Sequence, residues 1–206
     1  MNFLAHLYLG PQAAEPALGS VLGDFVKGPV PTLALPVGVR EGIWLHRRID
    51  GYTDQHPLVL RSKQRISPLR RRYAGILVDM YYDHLLARHW SRFHPEPLDG
   101  YAAGMYRHLL GQRELMPERA RRVIELMAEH DWLSSYAQLD NLHGAVDNLA
   151  RRLSRENALP GGVAELEADY AGFEADFLAF MPDVQAFVAG EFLRLPEAAS
   201  KGTAKA

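Results

Sequence analysis

The sequence predicts a single all-α domain, a helical bundle, on three observations. Apolar residues recur at helical spacing, most plainly Ile76, Met80, Ala87 and Trp90 within "RRRYAGILVDMYYDHLLARHW". No stretch alternates apolar and polar residues in the manner of a half-buried strand. The chain has 206 residues, 48% of them hydrophobic. That length can bury one sizeable core, and neither a repeat period nor an internal linker divides it.

The elements follow in order. Asn2 can cap a short helix over 3–9. A second helix is expected over 17–27, stopped by Gly28-Pro29. "GPVPTLALPVG" reads as a loop, after which helix resumes over 39–53. Pro57 can open a further helix that ends near Ser67-Pro68. The long apolar helix occupies 68–93, and others are expected over 99–110, 117–130, 134–155, 163–180 and 183–194. Residues 1–195 form the domain, and 196–206, "PEAASKGTAKA", read as a disordered tail.

Composition excludes several classes. The chain has no cysteine, so disulfides and thiolate metal ligands are absent. The start "MNFLAHLYLG" lacks a basic region and is too short for a secretory signal. No run reaches the roughly 18 apolar residues of a membrane span. A cytoplasmic protein is the expectation.

Charge is unevenly spread. Residues 40–72 hold nine basic residues (Arg40, Arg47, Arg48, Arg61, Lys63, Arg65, Arg70, Arg71, Arg72) against Glu41, Asp50 and Asp54, a net +6. The whole chain carries −2, so the remainder carries −8. Such a segment is either a solvated helix face or a surface for an acidic or phosphorylated partner. The near-neutral total argues against a nucleic-acid surface.

Within this segment, "GIWLHRRIDGYTDQHP" places His46, Asp50 and Asp54 four residues apart. On a helix, residues i and i+4 lie within about 40° of each other, so His46 and Asp50 share a face. Asp79 and Asp83 do the same in the long helix, amid apolar neighbours. Carboxylates desolvated there need a cation, either Arg71 or Arg72 or a metal ion. His84 points about 100° from Asp83 and could reach the same centre from another side. Asp24, in "GSVLGDFVKG", is an acid inside an apolar helix beside glycines that permit close approach. His6 reads first as a satisfied core histidine, with a ligand as the alternative. His89, His94, His108, His130 and His143 suit surface or capping positions. Trp44, Tyr81, Tyr82 and Trp90 suit the core, as do Phe173, Phe177, Phe180 and Phe187. Imidazole and oxygen ligands without thiolate favour Mn2+, Mg2+ or Fe2+ over structural zinc.

The segments "MNFLAHLYLG", "GDFVKG", "GIWLHRRIDGYTDQHP" and "RRRYAGILVDMYYDHLLARHW", in that order, resemble the acyl carrier protein phosphodiesterases. The match is specific over residues 1 to about 92. That family is regarded as a divergent branch of the HD metal-dependent phosphohydrolases, which are helical proteins with a His/Asp metal centre. The resemblance implies hydrolysis of holo-acyl carrier protein to the apo form and 4′-phosphopantetheine, with Mn2+ as the usual metal. This chain reads Asp83-His84 where the HD signature has His-Asp.

On this resemblance the expected metal ligands are Asp24, His46, Asp79 and Asp83, with Asp50, His84 and His6 as further ligands or orienting groups. Arg47 and Arg48 are expected at the phosphate, since a guanidinium fork matches its oxygens. Arg61, Lys63, Arg65, Arg70, Arg71 and Arg72 are expected to dock the acidic carrier. The competing readings are another phosphohydrolase acting on a nucleotide or small ester, and a helical binding module whose acids merely pair with arginines. A carboxylate-bridged oxidase is disfavoured, because paired Glu-x-x-His motifs are missing.

Overall fold

The computed structural model describes residues 1–153 and 155–194, and the tail expected over 196–206 lies outside them. Eleven α-helices form among the described residues, with no strand. They are α1 (Phe3–Leu9), α2 (Ala14–Leu22), α3 (Val37–Gln55), α4 (Pro57–Arg65), α5 (Ala74–Arg88) and α6 (Leu98–Leu110). The second half holds α7 (Glu118–Glu129), α8 (Trp132–Ser135), α9 (Leu139–Arg152), α10 (Val163–Ala168) and α11 (Tyr170–Phe192). The all-α expectation is met, while several boundaries are not.

The second helix ends at Leu22, not at residue 27, so Asp24 sits in a turn closed by bonds from the Phe25 and Val26 amides to Leu22 O. The 68–93 segment is helical only over α5, flanked by 3-10 turns at Arg71–Tyr73 and Trp90–Arg92. The 134–155 stretch starts earlier and breaks after Ser135, giving α8 and α9.

The helices expected over 163–180 and 183–194 do not part between them, because α11 runs through Pro182. A proline inside a helix costs about 3 kcal/mol. Phe177, Phe180 and Met181 before it and Val184 and Val188 after it all bury in the same core. Each such side chain contributes about 1.5–3 kcal/mol, which outweighs the break.

The tightest packing joins α2 to α3. A Cβ at Gly19 would lie 2.2 Å from Val39 O, and one at Gly42 would lie 2.2 Å from Pro16 O. The two backbones touch where side chains would hold them apart. α1 lies against both α2 and α5. Tyr81, Tyr82 and Trp90 are buried as expected, and so are Phe173, Phe177 and Phe180. Phe187 is half-buried and stacks on Tyr52 with ring centroids 4.2 Å apart.

α11 covers α3 and α4 and supplies carboxylates to their basic residues. Buried Asp176 accepts from Arg61, from Arg65 Nε at 2.9 Å and from Ser62 at 3.1 Å. Arg65 also pairs with Asp169, and Arg70 with Glu165 of α10 at 3.1 Å. Lys63 pairs with Asp54 at 2.8 Å. Much of the positive segment is therefore neutralised by the chain's own acids.

Candidate metal centre

Two helices and one turn converge on a cluster of imidazoles and carboxylates. α3 contributes His46 and Asp50 one turn apart, α1 contributes His6, and the turn after α2 contributes Asp24. His46 Nε2 lies 3.1 Å from Asp50 Oδ2 and 3.5 Å from Asp24 Oδ1. His6 Nε2 lies 3.0 Å from Asp50 Oδ1. The two imidazoles stack with centroids 3.8 Å apart and planes 19° apart. One ligand atom each from His6, His46 and Asp50 can be drawn within 4.8 Å of one another, a spacing that suits a metal ion.

Local packing fixes the rings. His46 Nδ1 is 2.7 Å from Ser20 O and donates to it, which leaves Nε2 to face the carboxylates. A backbone carbonyl holding the far nitrogen is the usual support for a metal-binding imidazole. His46 also rests on Gly23, where a Cβ would come within 2.2 Å of ring carbons Cγ and Cδ2. Gly23→Ala should therefore push the ring aside, at a strain of about 1–3 kcal/mol. Titration calorimetry with Mn2+ should show affinity falling by roughly 10-fold or more. Unchanged affinity would mean that the ring is free to shift.

The electrostatics follow from burial and proximity. Burial opposes a charged His46, but hydrogen bonds to Asp24 and Asp50 outweigh it and push its pKa up to about 9. For His6, burial and the neighbouring His46 charge lower the pKa to about 4. Burial works against ionised Asp50, yet hydrogen bonds from His46 and His6 hold it well below the usual carboxylate range. Asp24, 52% exposed, is likewise lowered against its burial by the His46 hydrogen bond. One positive ring thus serves two carboxylates. The donor set, two imidazoles with oxygen ligands and no thiolate, fits a hard or borderline divalent cation.

Other expected site residues lie elsewhere. Asp79 borders the cluster, but its partner is the Met1 ammonium at 3.1 Å, which also stands 3.5 Å from Asp50. Burial raises the Asp79 pKa, and the ammonium offsets part of that rise. Asp83 is fully buried and accepts from the Leu4 amide at 2.8 Å and the Ala5 amide at 3.2 Å. It caps α1, the role expected of Asn2, whose side chain makes no cap bond. Burial pushes Asp83 up to about 7 despite those two amides. Neither Asp79 nor Asp83 pairs with Arg71 or Arg72 among the described residues.

His84 faces away from the cluster, with Nδ1 donating to Tyr136 O at 2.7 Å and Nε2 at 3.0 Å from the Tyr170 hydroxyl. Arg47 donates to Gly28 O and Val26 O, clamping the loop after Asp24 onto α3. Arg48 forms a fork with buried Glu191 at 2.8 and 3.0 Å. A phosphate contact would have to displace these bonds.

Two participants escaped sequence reasoning. The Met1 ammonium carries no side-chain signature. Gly23 had a signal, since it directly precedes Asp24, but its contact with His46 is tertiary.

The profile of the family described as "Acyl carrier protein phosphodiesterase" matches residues 1–184. Proteins named acyl carrier protein phosphodiesterase from Enterobacter sp. (strain 638) and Serratia proteamaculans (strain 568) are each 36% identical over 171 residues. One from Salmonella dublin is 34% identical over 171 residues. Each match covers 82% of this chain and 88% of the relative. No solved structure matches. Matched across nearly all of its helices, the chain belongs to the acyl carrier protein phosphodiesterase family.

Proposed function

We propose that this chain hydrolyses the phosphodiester between 4′-phosphopantetheine and the serine of holo-acyl carrier protein, using a divalent cation, Mn2+ foremost, held by His6, His46, Asp50 and Asp24. The observation that carries this reading is the convergence of two stacked imidazoles on Asp50 in a chain of this family. A bound cation would polarise a phosphoryl oxygen and lower the pKa of a water. Asp50, bridging both rings, keeps the imidazole nitrogens aimed at one point. Asp24 is the most solvent-facing oxygen donor and can take up the proton that water loses on attack. Asp79 holds the Met1 ammonium beside the cluster, where its positive charge would favour an anionic substrate. The HD-like ancestry of the fold is part of this proposal, supported by helix-borne His and Asp donors.

The test is direct. Chelator-treated protein should be inactive on holo-carrier, recover with Mn2+, and convert the carrier to its apo mass. Full turnover at undetectable metal would overturn the metal role. Turnover of a small phosphodiester, with none of holo-carrier, would overturn the substrate.

The docking surface is narrower than the charge count suggests. Arg61, Arg65, Arg70 and Lys63 are engaged internally, whereas Arg71 and Arg72 are exposed and have no ion pair among the described residues. They stand between Leu69, 68% exposed, and Ile76, 38% exposed. A basic patch with apolar margins suits an acidic carrier helix. Arg71→Glu with Arg72→Glu should lower kcat/KM for holo-carrier roughly ten-fold at low salt, with kcat nearly unchanged. The defect should shrink as salt rises, because exposed charges are screened. Parallel salt curves for variant and parent would place the carrier elsewhere.

A further inference from the structure

The amine of Met1 is buried, 3.1 Å from Asp79 Oδ1 on α5 and 3.5 Å from Asp50 Oδ1 on α3. Chain termini ordinarily lie at the surface, where water solvates their charge. Burying a charge is costly unless it is paired, and two carboxylates at these distances hold the amine as an ammonium. Docking α1 does not require this arrangement. Asp83 already accepts from the Leu4 and Ala5 amides, and the Met1 side chain is buried in the core. Asp79, by contrast, makes no other ion pair among the described residues. Without the ammonium, α3 and α5 would bring two carboxylates together beside the cluster with no cation between them.

We propose that the Met1 α-amine is a modification-sensitive positioning group of the centre, and that an acyl group on it silences the site. Formylation, acetylation or a residue joined ahead of Met1 turns the ammonium into a neutral amide. Removing a formyl group reverses this. Water adds to the formyl carbon, the C–N bond breaks, and the formic acid released passes its proton to the freed amine. The acylated site carries one positive charge fewer, so it repels a phosphodiester anion. It also loses one restraint on Asp50, which both imidazoles contact. The effect on turnover rests on the hydrolysis proposed above, whereas the effect on stability does not.

Bacterial cell-free translation with and without a deformylase inhibitor gives formyl-Met1 and free-amine chains that differ at no lysine. Each is made with Asp79 and with Asp79→Asn, and intact mass confirms that Met1 is present. Urea unfolding of the chelated proteins then reads the charge pairing with neither metal nor substrate present. Formylation of the Asp79 chain should lower the midpoint by roughly 0.5–1 M, because a carboxylate loses its cation. Asp79→Asn should lower the midpoint of the free-amine chain but raise that of the formylated one, where it removes the stranded charge. An acyl group that only disturbs packing would destabilise both chains alike, and that result would overturn the inference. If the formylated Asp79 chain does not fold, a folded formylated Asp79→Asn chain supports it, and failure of both overturns it. On holo-carrier, formylation should lower kcat/KM roughly ten-fold or more. Equal turnover by formylated and free-amine chains would overturn the silencing. A free-amine chain that never cleaves holo-carrier would overturn the hydrolysis instead, and the sign of the Asp79→Asn effect would still decide the role of the amine.

Discussion

His46→Ala should lower kcat/KM for holo-carrier by roughly a thousand-fold or more, with helical content close to that of the parent. The ring is the hub of the cluster, facing Asp24 and Asp50 and stacking on His6. Losing it removes one proposed nitrogen ligand and the group that orients both carboxylates. Metal activation is worth several kcal/mol at the transition state, and each 1.4 kcal/mol is a factor of ten. Measured turnover should fall together with Mn2+ content after dialysis. Retained metal with lost turnover would make His46 a proton carrier instead of a ligand. Near-normal turnover in a folded variant would remove it from the centre. Asp24→Ala should follow the same direction with a smaller loss of metal, since Asp24 stands farther from His46 and is half exposed.

Asp83→Ala should be the most destabilising substitution near the site. It strands the Leu4 and Ala5 amides in an apolar interior, at about 1–3 kcal/mol each, so the loss should be about 2–6 kcal/mol. Urea unfolding should show a lower midpoint at an unchanged slope. Activity should decline as well, because α1 carries His6. The two roles considered for Asp83 separate cleanly in Mn2+ titrations. As the anchor of α1, its loss lowers stability whether or not metal is present. As a ligand, its loss would lower metal affinity and leave the stability of the chelated protein nearly unchanged, and that result would sink the anchoring account.

Residue spacing alone made part of this site legible. His46 and Asp50 share a face because they are four apart, and the structure puts both on the cluster. The glycines of "GSVLGDFVKG" signalled close approach, and Gly19 and Gly23 both provide it. Spacing could not say what satisfies a carboxylate in an apolar helix. A metal ion, an arginine and two backbone amides all meet the same electrostatic need, and only the docking of α1 decides for Asp83. His84 was misplaced for a related reason. A 100° step fixes its direction relative to Asp83 but not which neighbour lies there. The basic segment looked free because its partners, Asp176 and Glu191, sit more than a hundred residues away. Helix ends at Leu22 and Ser135 and the passage through Pro182 were set by tertiary packing.

The cap on α1 bears on when the enzyme can work at all. α1 has seven residues, short of the roughly 12–15 that an isolated helix needs to persist in water. Its first-turn amides are held by a side chain 79 positions further along. A chain emerging from the ribosome would display His6, Asp24, His46 and Asp50 well before it could gather them. The cluster therefore assembles late, after α5 has been made and packed, and on the function proposed above a nascent or prematurely ended chain would leave holo-carrier intact.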